Sequence, residues 1–370
     1  MNYVQKHQKH GLEGNALNLL EKLKDAFHTK QLISFFEEKE KNLNKVLNIF
    51  IRVNSGGVKL SYSDLLMSIL TASFSSDIRE KMNELVDALK DKGFPNVEQD
   101  QVLKTCLLLI DSNTTFELLK NFNKNNVKEI EENWEKITES IYNAAKLLET
   151  FGYVKYLGSA YILSTLAYFY FLKQKMDKND EEQALKFVRN AQIMGYFGGS
   201  TDTKLSIIAH NIKEARTFEA FNHNLAKHQT CPLKITNDAI EGMVFFDRYS
   251  RVFPILHILY PNLNYKTTTF QIDHIYPKSK FKKKNNKLDK DFYECRDHLF
   301  NLQLLEGTEN SAKKDKDSEV WLKEEYKNEK AIEEYKKRNY IDPKLKLEWE
   351  NIKEFRKKRE EAIIKRLKEV

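Results

Sequence analysis

An aspartate and a histidine stand side by side near the C-terminal end of the sequence, and two asparagines follow at longer spacing. They are Asp273, His274, Asn301 and Asn310. An imidazole with an ordinary pKa of about 6.5 accepts a proton from water at neutral pH. Carboxylate and amide oxygens are ligands that suit Mg²⁺ and Mn²⁺. Because hydrolysis of a phosphodiester needs both a proton acceptor and a cation, the set predicts a metal-dependent nuclease.

We expect a separate role for each of these residues. His274 is the candidate general base, and Asn301 is expected to fix its ring by accepting a hydrogen bond from one ring nitrogen. Asp273 and Asn310 are the candidate metal ligands. Neighbouring residues of a strand point to opposite faces, so a bend after Asp273 is required if Asp273 and His274 are to serve one site.

The order of the flanking elements brings these residues together. Residues 266–275 are rich in β-forming side chains, residues 299–305 alternate like a short strand, and a helix-forming composition resumes at Thr308. Eight residues separate Asn301 from Asn310, which is enough to finish a strand, turn and place Asn310 on the first turn of a helix. The pattern predicts a ββα arrangement.

A run of lysines follows the Asp-His pair. Residues 278–287 contain six lysines and no acidic residue, which is the composition expected beside a phosphate backbone. A solvated surface loop is the alternative for such a run. The candidate DNA-contacting residues are Lys278, Lys280, Lys282, Lys283, Lys284 and, one helical turn beyond Asn310, Lys314.

The composition favours a large, mainly helical protein. The chain has 370 residues, of which 41% are hydrophobic and 12% aromatic, with only 12 glycines and 6 prolines. Few turn residues in a long chain favour long helices, and the length allows two or three domains. The net charge of +7 is a mild excess and indicates little by itself. The position of the lysine run, directly after the Asp-His pair, is more informative.

Helical patterns cover most of the chain. Helices are predicted over residues 12–36 and 42–53 and over nearly all of residues 100–260, with an apolar stripe from Val127 to Leu148. The uncharged run of residues 156–172 is 17 residues long and holds several polar groups, so a buried core helix is favoured over a membrane span. The charged C-terminal tail is expected to form two helices. These are expected to pack back through five aromatic residues, Trp321, Tyr326, Tyr335, Trp349 and Phe355.

The cysteines and the N-terminal sequence predict the cellular compartment of the protein. Cys106, Cys231 and Cys295 are far apart and match neither a disulfide framework nor a zinc knuckle. The first ten residues lack the apolar core of a signal peptide. We therefore expect a soluble, cytoplasmic protein with no membrane contact.

Two segments of the sequence resemble known families. The motifs Asp273-His-Ile-Tyr-Pro-Lys-Ser279, Asn301-Leu-Gln-Leu-Leu305 and Glu309-Asn310 with Lys313-Lys314 resemble the HNH nuclease domain of family 1524 of unknown function. Residues 46–57, with Leu60-Ser and Asp64-Leu-Leu66, are similar to the closing part of family 262. The two domains occur together in GmrSD-type, modification-dependent restriction enzymes. The recognisable motifs cover about residues 40–70 and 265–315.

The resemblance implies roles for the matching residues. It implies metal binding by Asp273, a general base at His274, an orienting asparagine at Asn301 and the last HNH position at Asn310. The Asp-Gly-Gln-Gln-Arg run of family 262 is absent, so we expect no nucleotide hydrolysis by this chain alone. Three explanations of this absence stay open: the chain is a split-gene half, a truncated product, or a fragment that works with a partner chain. In the last case the partner supplies the missing nucleotide-binding half.

The expectations combine into one hypothesis. The fold is mainly α, with a family 262-like helical remnant in residues 1–75, a helical domain in residues 76–260, and a ββα-metal HNH nuclease domain with a charged helical tail in residues 261–370. The expected function is Mg²⁺- or Mn²⁺-dependent hydrolysis of DNA, whether modified or not, in a restriction or phage-defence system. A broad-specificity or RNA-directed nuclease toxin and a catalytically silent DNA-binding module are the alternatives.

Overall fold

A computed structural model describes residues 14–29, 78–111, 124–173, 175–215, 217–281 and 293–369, together with the isolated positions 37, 39, 40, 45 and 49. The chain divides into two compact units, Met1–Leu60 and Ser61–Val370. The helix α1 (Gly14–His28) belongs to the first unit. All further elements described below belong to the second unit.

The second unit is mainly helical, as the composition predicted, with one two-stranded sheet. In the described residues of this unit, the helices before the sheet are α2 (Ile78–Asp91), α3 (Gln99–Leu109), α4 (Lys124–Glu132), α5 (Trp134–Thr150), α6 (Tyr161–Lys173), α7 (Lys178–Ile193), α8 (Thr201–Glu214), α9 (Phe218–Ala226), α10 (Asn237–Met243) and α11 (Tyr249–Leu259). The sheet and the helices after it are β1 (Phe270–His274), β2 (Leu302–Glu306), α12 (Gly307–Lys313), α13 (Ser318–Glu325), α14 (Glu329–Arg338) and α15 (Ile352–Lys368).

Helix α6 confirms the prediction of a buried core helix in residues 156–172. Its apolar residues lie on every side, and most of its length is buried, as expected for a helix surrounded by others. The buried hydroxyls find partners: Ser164 Oγ accepts from Gln101 Nε2 at 2.7 Å, and Thr165 Oγ1 donates to the carbonyl of Tyr161 at 2.8 Å. Within the described ranges, no helix combines the length and apolar character that a membrane crossing needs.

The apolar stripe predicted from Val127 to Leu148 is divided between two helices. Val127 lies on α4 and Leu148 on α5, and both are buried. Asn133 interrupts the helix between them, and its side-chain amide donates to the carbonyl of Glu129 at 2.8 Å. The helical periodicity was therefore predicted, whereas the break was not.

The two strands form an antiparallel hairpin that carries the Asp-His pair at one end. The register pairs Phe270 with Glu306 and His274 with Leu302. Helix α12 starts directly after β2. The order strand, strand, helix agrees with the arrangement expected from the sequence, and Asn310 lies on the fourth residue of α12, within its first turn.

The strand expected over residues 299–305 begins later than predicted, and Asn301 is not on it. Leu299–Asn301 forms a 3₁₀ helix, and β2 starts at Leu302. Arg359 of α15 lies against this segment, and its fully buried guanidinium donates to the carbonyls of Leu299, Phe300 and Leu302. These bonds satisfy carbonyls of the 3₁₀ turn and of the first residue of β2.

The C-terminal tail packs against the hairpin through the aromatic residues that the sequence singled out. Trp321, Tyr335 and Phe355 are almost fully buried in one core cluster, and Tyr326 and Trp349 pack against it while partly buried. The expectation of two tail helices was wrong, because α13, α14 and α15 make three. The interruption at residues 340–343 was predicted, and the additional helix comes from the break at residues 326–328 between α13 and α14.

Several sequence predictions fall outside the described residues. They include most of the expected helix at residues 42–53, the family 262-like segment at residues 46–66 apart from position 49, and Lys282, Lys283 and Lys284. The division into three domains at residues 75 and 260 stays a prediction.

Candidate active site

His274 is the last residue of β1, and its ring is held by a carboxylate that sequence reasoning missed. Its Nε2 lies 2.9 Å from Oδ1 of Asp297, and most of the imidazole is buried. An ionised carboxylate only accepts hydrogen bonds, so Nε2 carries the proton and donates it to Asp297. The lone pair of Nδ1 is then the one that can accept a proton from water.

The protonation state suits a general base. Burial lowers the pKa of His274 below its usual 6.5, although the hydrogen bond from Asp297 raises it in part. Burial also tends to raise the pKa of Asp297, but the bonds from Lys278 and His274 outweigh this and leave that pKa below its ordinary value. At neutral pH the pair therefore consists of a neutral imidazole and an ionised carboxylate.

Two cations share the Asp297 carboxylate with His274. Lys278 Nζ lies 2.8 Å from Oδ1, and Arg296 Nε lies 3.4 Å from Oδ2. Lys278 is half exposed, so its ammonium lies at the edge of the site, where it can meet solvent or a ligand. These cations hold Asp297 ionised and fixed beside the imidazole.

Asp273 faces the opposite side of the hairpin, as expected for the neighbour of His274 on a strand. Its Oδ2 accepts from Gln303 Nε2 at 2.9 Å and from Lys313 Nζ at 2.5 Å. Gln303 is its register partner on β2, and Lys313 is the last residue of α12. The chain bends at Ile275 and Tyr276, directly after the strand. The bend that was required between Asp273 and His274 is therefore not found, and the two side chains leave β1 on opposite faces.

Asn310 lies on α12 but contacts a different residue of β1. Its Nδ2 donates to Gln271 Oε1 at 2.7 Å. Gln271 and Asp273 share one face of the strand and are about 7 Å apart along it. Helix α12 therefore sets Asn310 against Gln271 and Lys313 against Asp273.

The donor atoms fit a hard cation. The described bonds of Asp273 use Oδ2, and that of Asn310 uses Nδ2, so no described residue bonds Oδ1 of either side chain. Among the described residues, no group of three or more His, Cys, Asp or Glu side chains forms a metal site. One carboxylate and one amide suit an ion such as Mg²⁺, which keeps several waters. A cation at Asp273 also meets the Lys313 ammonium, which competes with it electrostatically.

Asn301 is buried and acts on the backbone around the site. Its Oδ1 accepts from the amide of Tyr276 at 2.8 Å, and its Nδ2 donates to the carbonyls of Tyr276 and Arg296 at 3.0 Å each. The described bonds of its side chain thus hold together the two ends of the loop between the strands. This amide was expected to hold the His274 ring, and in the structure that contact comes from Asp297.

The remaining candidates differ in position. Lys280 is half exposed and pairs with Asp317 at 3.1 Å. Lys314 is exposed and ends α12 with a positive φ of 47°. Lys282, Lys283 and Lys284 lie outside the described residues.

Asp297 was missed from the sequence, and Lys313 was included in a motif without being assigned a role. Asp297 lies in a loop 23 residues after His274, and nothing in its neighbours indicates a role. A role for Lys313 could have been found, since it follows Asn310 by three residues and shares its helical face. Both residues bond directly to one member of the Asp273–His274 pair.

Part of the chain matches a known family. Residues 247–366 match the family model described as GmrSD restriction endonucleases, C-terminal domain. The matched range is about a third of the chain and contains β1, β2, α12 and the site residues described above. It supports the GmrSD-type resemblance for this part of the chain. A comparison with curated proteins gives no significant match.

Proposed function

We propose, from the match of residues 247–366 to the C-terminal domain of GmrSD restriction endonucleases, that this chain is an endonuclease that hydrolyses phosphodiester bonds in DNA. The domain is of the HNH type and works with Mg²⁺ or Mn²⁺ in a restriction or phage-defence system. The observation that carries the proposal is the neutral imidazole of His274, held by Asp297 at 2.9 Å and adjacent to Asp273.

His274 is the general base in this proposal. Its Nδ1 accepts a proton from a water molecule, the water oxygen forms a bond to phosphorus, and the bond from phosphorus to the leaving 3′ oxygen breaks. The imidazole becomes positively charged in this step. The ionised carboxylate of Asp297, which accepts from Nε2, stabilises that charge.

Asp273 and Asn310 would hold the metal ion through their side-chain oxygens. When bound, the ion supplies positive charge for the phosphate and for the leaving oxygen. Gln303 and Lys313 orient the Asp273 carboxylate through Oδ2.

The cations around the pair support DNA as the substrate. Lys278 and Lys280 are half exposed at the start of the lysine run, and Lys314 is exposed at the end of α12. Contacts from such side chains to phosphates give affinity without reading sequence.

A cleavage assay with matched variants tests the proposal. The purified chain is incubated with plasmid DNA, and with RNA, in Mg²⁺, Mn²⁺ or a chelator. His274→Ala should lower the rate at least about 100-fold, the scale of a lost general base, while Mn²⁺ binding measured by calorimetry is kept. Asp273→Ala should lower the rate and the Mn²⁺ affinity together, and excess Mn²⁺ should partly restore the rate.

His210→Ala is the control, because His210 is an exposed histidine on α8 that pairs with Glu214. It should cut like the parent. A parent chain that leaves DNA intact with every metal, or a His274→Ala variant that cuts at the parent rate, contradicts the proposal. Cleavage of RNA alone would favour the RNA-directed alternative.

A further inference from the structure

The segment between α10 and α11 presents two aromatic side chains to solvent. Phe245 is 54% exposed and Tyr249 is 38% exposed. In the described part of the second unit, these are the exposed aromatic residues, and they lie four positions apart. Covering an exposed ring of this size removes apolar area from water, which is favourable.

Phe245 lies beside the candidate active site. Its ring meets the ring of His298 edge to face, with the centroids 6.1 Å apart. His298 directly follows Asp297, the carboxylate that holds His274. The exposed face of Phe245 is therefore next to the segment that carries the proposed catalytic pair.

Tyr249 is the first residue of α11 and lies four positions after Phe245. The two exposed rings therefore belong to one short stretch of chain.

The segment is anchored by the neighbouring aromatic residue. The guanidinium of Arg251 lies 3.7 Å from the ring centroid of Phe246, and it donates to the carbonyl of Ile193 through Nε at 2.9 Å and Nη2 at 2.7 Å. Phe246 is partly buried in this arrangement. Fixing Phe246 restrains the backbone of the neighbouring Phe245, which lowers the entropic cost of a contact made by the exposed Phe245 ring.

We propose that Phe245, with Tyr249 at its side, stacks on a DNA base next to the phosphodiester bond that is cut. The inference rests on the proposed nuclease function, and it adds to the proposed active site a surface that lies outside the hairpin. Every base has a π-face, so stacking on an aromatic ring tolerates any sequence. Two cations lie nearby: Lys278, and Arg248, which is exposed and stands between Phe245 and Tyr249 in the sequence. Both suit the phosphates that flank a base, which favours DNA as the occupant.

The test measures binding without cleavage. Single-stranded and duplex DNA oligonucleotides are titrated in a chelator, so no hydrolysis is needed. Phe245→Ala should weaken binding about 10-fold, the scale of one lost base stack, and Phe245→Trp should bind at least as well as the parent. The slope of log K against log salt should not change, because no charge is removed.

Leu172→Ala is the control, since Leu172 is an exposed apolar residue on α6 with 47% exposure. It should bind like the parent. A second probe places a fluorescent base analogue along the oligonucleotide, and its quenching should depend on Phe245. Equal binding by Phe245→Ala and the parent overturns the inference, as does a Phe245-dependent preference for RNA of the same sequence.

The results separate this inference from the proposed function. DNA binding that depends on Phe245, in a chain that cuts nothing with Mn²⁺, contradicts the nuclease proposal and supports the stacking surface. Cleavage that is unchanged in Phe245→Ala supports the nuclease and removes the surface. A parent chain that binds no DNA overturns both.

Discussion

The ammonium of Lys313 lies 2.5 Å from Oδ2 of Asp273, and the two side chains are only 1% and 12% exposed. The same ammonium donates to the carbonyl of His274. Burial lowers the pKa of Lys313, and the Asp273 charge opposes this shift. One lysine of α12 therefore holds two consecutive residues of β1 whose side chains serve opposite faces of the hairpin.

Lys313→Met should have opposite effects on stability and on metal binding. The free energy of unfolding should fall by about 3 kcal/mol or more, because Asp273 is left buried without its partner. Mn²⁺ affinity, measured by calorimetry, should rise, because the competing charge is gone. Lys316→Met, at an exposed lysine that pairs with Glu324, is the control and should change neither quantity.

Lys313→Arg keeps the charge and should not bind Mn²⁺ more tightly than the parent, so it tests the idea even if the methionine variant folds poorly. Unchanged or weaker Mn²⁺ binding by a folded Lys313→Met variant would show that the lysine does not compete with the ion.

Asp297→Asn should change the pH dependence of cleavage as well as its rate. Asp297 raises the pKa of His274, which burial has already lowered below 6.5. Without that charge the pKa falls further, so the acid limb of the pH–rate profile should move to lower pH. The rate on the plateau should fall by up to about 10⁴-fold, the scale for replacing the carboxylate that orients a catalytic imidazole by its amide.

Asp315→Asn, at an exposed aspartate just after α12, is the control for Asp297→Asn. An acid limb that stays in place or moves to higher pH would mean that Asp297 does not set the protonation of His274.

Asn301→Ala should loosen the loop between the strands. The change leaves the buried amide and carbonyl of Tyr276 and the carbonyl of Arg296 without the bonds they now make. An unpaired buried polar group costs about 1–3 kcal/mol, so the free energy of unfolding should fall by at least about 2 kcal/mol. Hydrogen exchange should speed up at the Tyr276 amide more than at the Leu148 amide of α5.

Cleavage by Asn301→Ala should fall because Asp297 loses its fixed position beside His274. Full stability together with lost cleavage would contradict the backbone role of Asn301 and support the direct contact to the His274 ring that the sequence suggested.

Neutralising Lys278 and Lys280 should lower the salt dependence of DNA binding. Each phosphate contact that is lost removes about 0.9 from the slope of log K against log salt on duplex DNA. The double variant Lys278→Gln, Lys280→Gln should therefore reduce the slope by up to about 1.8 when binding is measured in a chelator. The pair Lys323→Gln, Lys337→Gln, at exposed lysines of α13 and α14, should leave the slope unchanged, and an equal slope in both double variants would assign Lys278 and Lys280 to solvent.

The sequence alone determined features that depend on short stretches of chain. The scarcity of glycine and proline indicated a mainly helical fold, the uncharged run around Tyr161 indicated a buried helix, and the spacing after Asn301 placed Asn310 on the first turn of α12. Local patterning is enough for such predictions because periodicity and turn chemistry act over a few residues. His274 and Asp273 were recognisable for the same reason, as neighbours with suitable chemistry.

Only the tertiary structure decided which groups these residues contact. Asp297 reaches His274 from 23 residues away, and Lys313 reaches Asp273 from 40. Arg359, far along α15, bonds to the carbonyls of Leu299 and Leu302 on either side of Asn301. Such contacts depend on the path of a loop and on the face that a helix presents when it packs. A sequence pattern contains neither. The physical reason is that buried polar groups bond to whichever partners the packed core brings within reach.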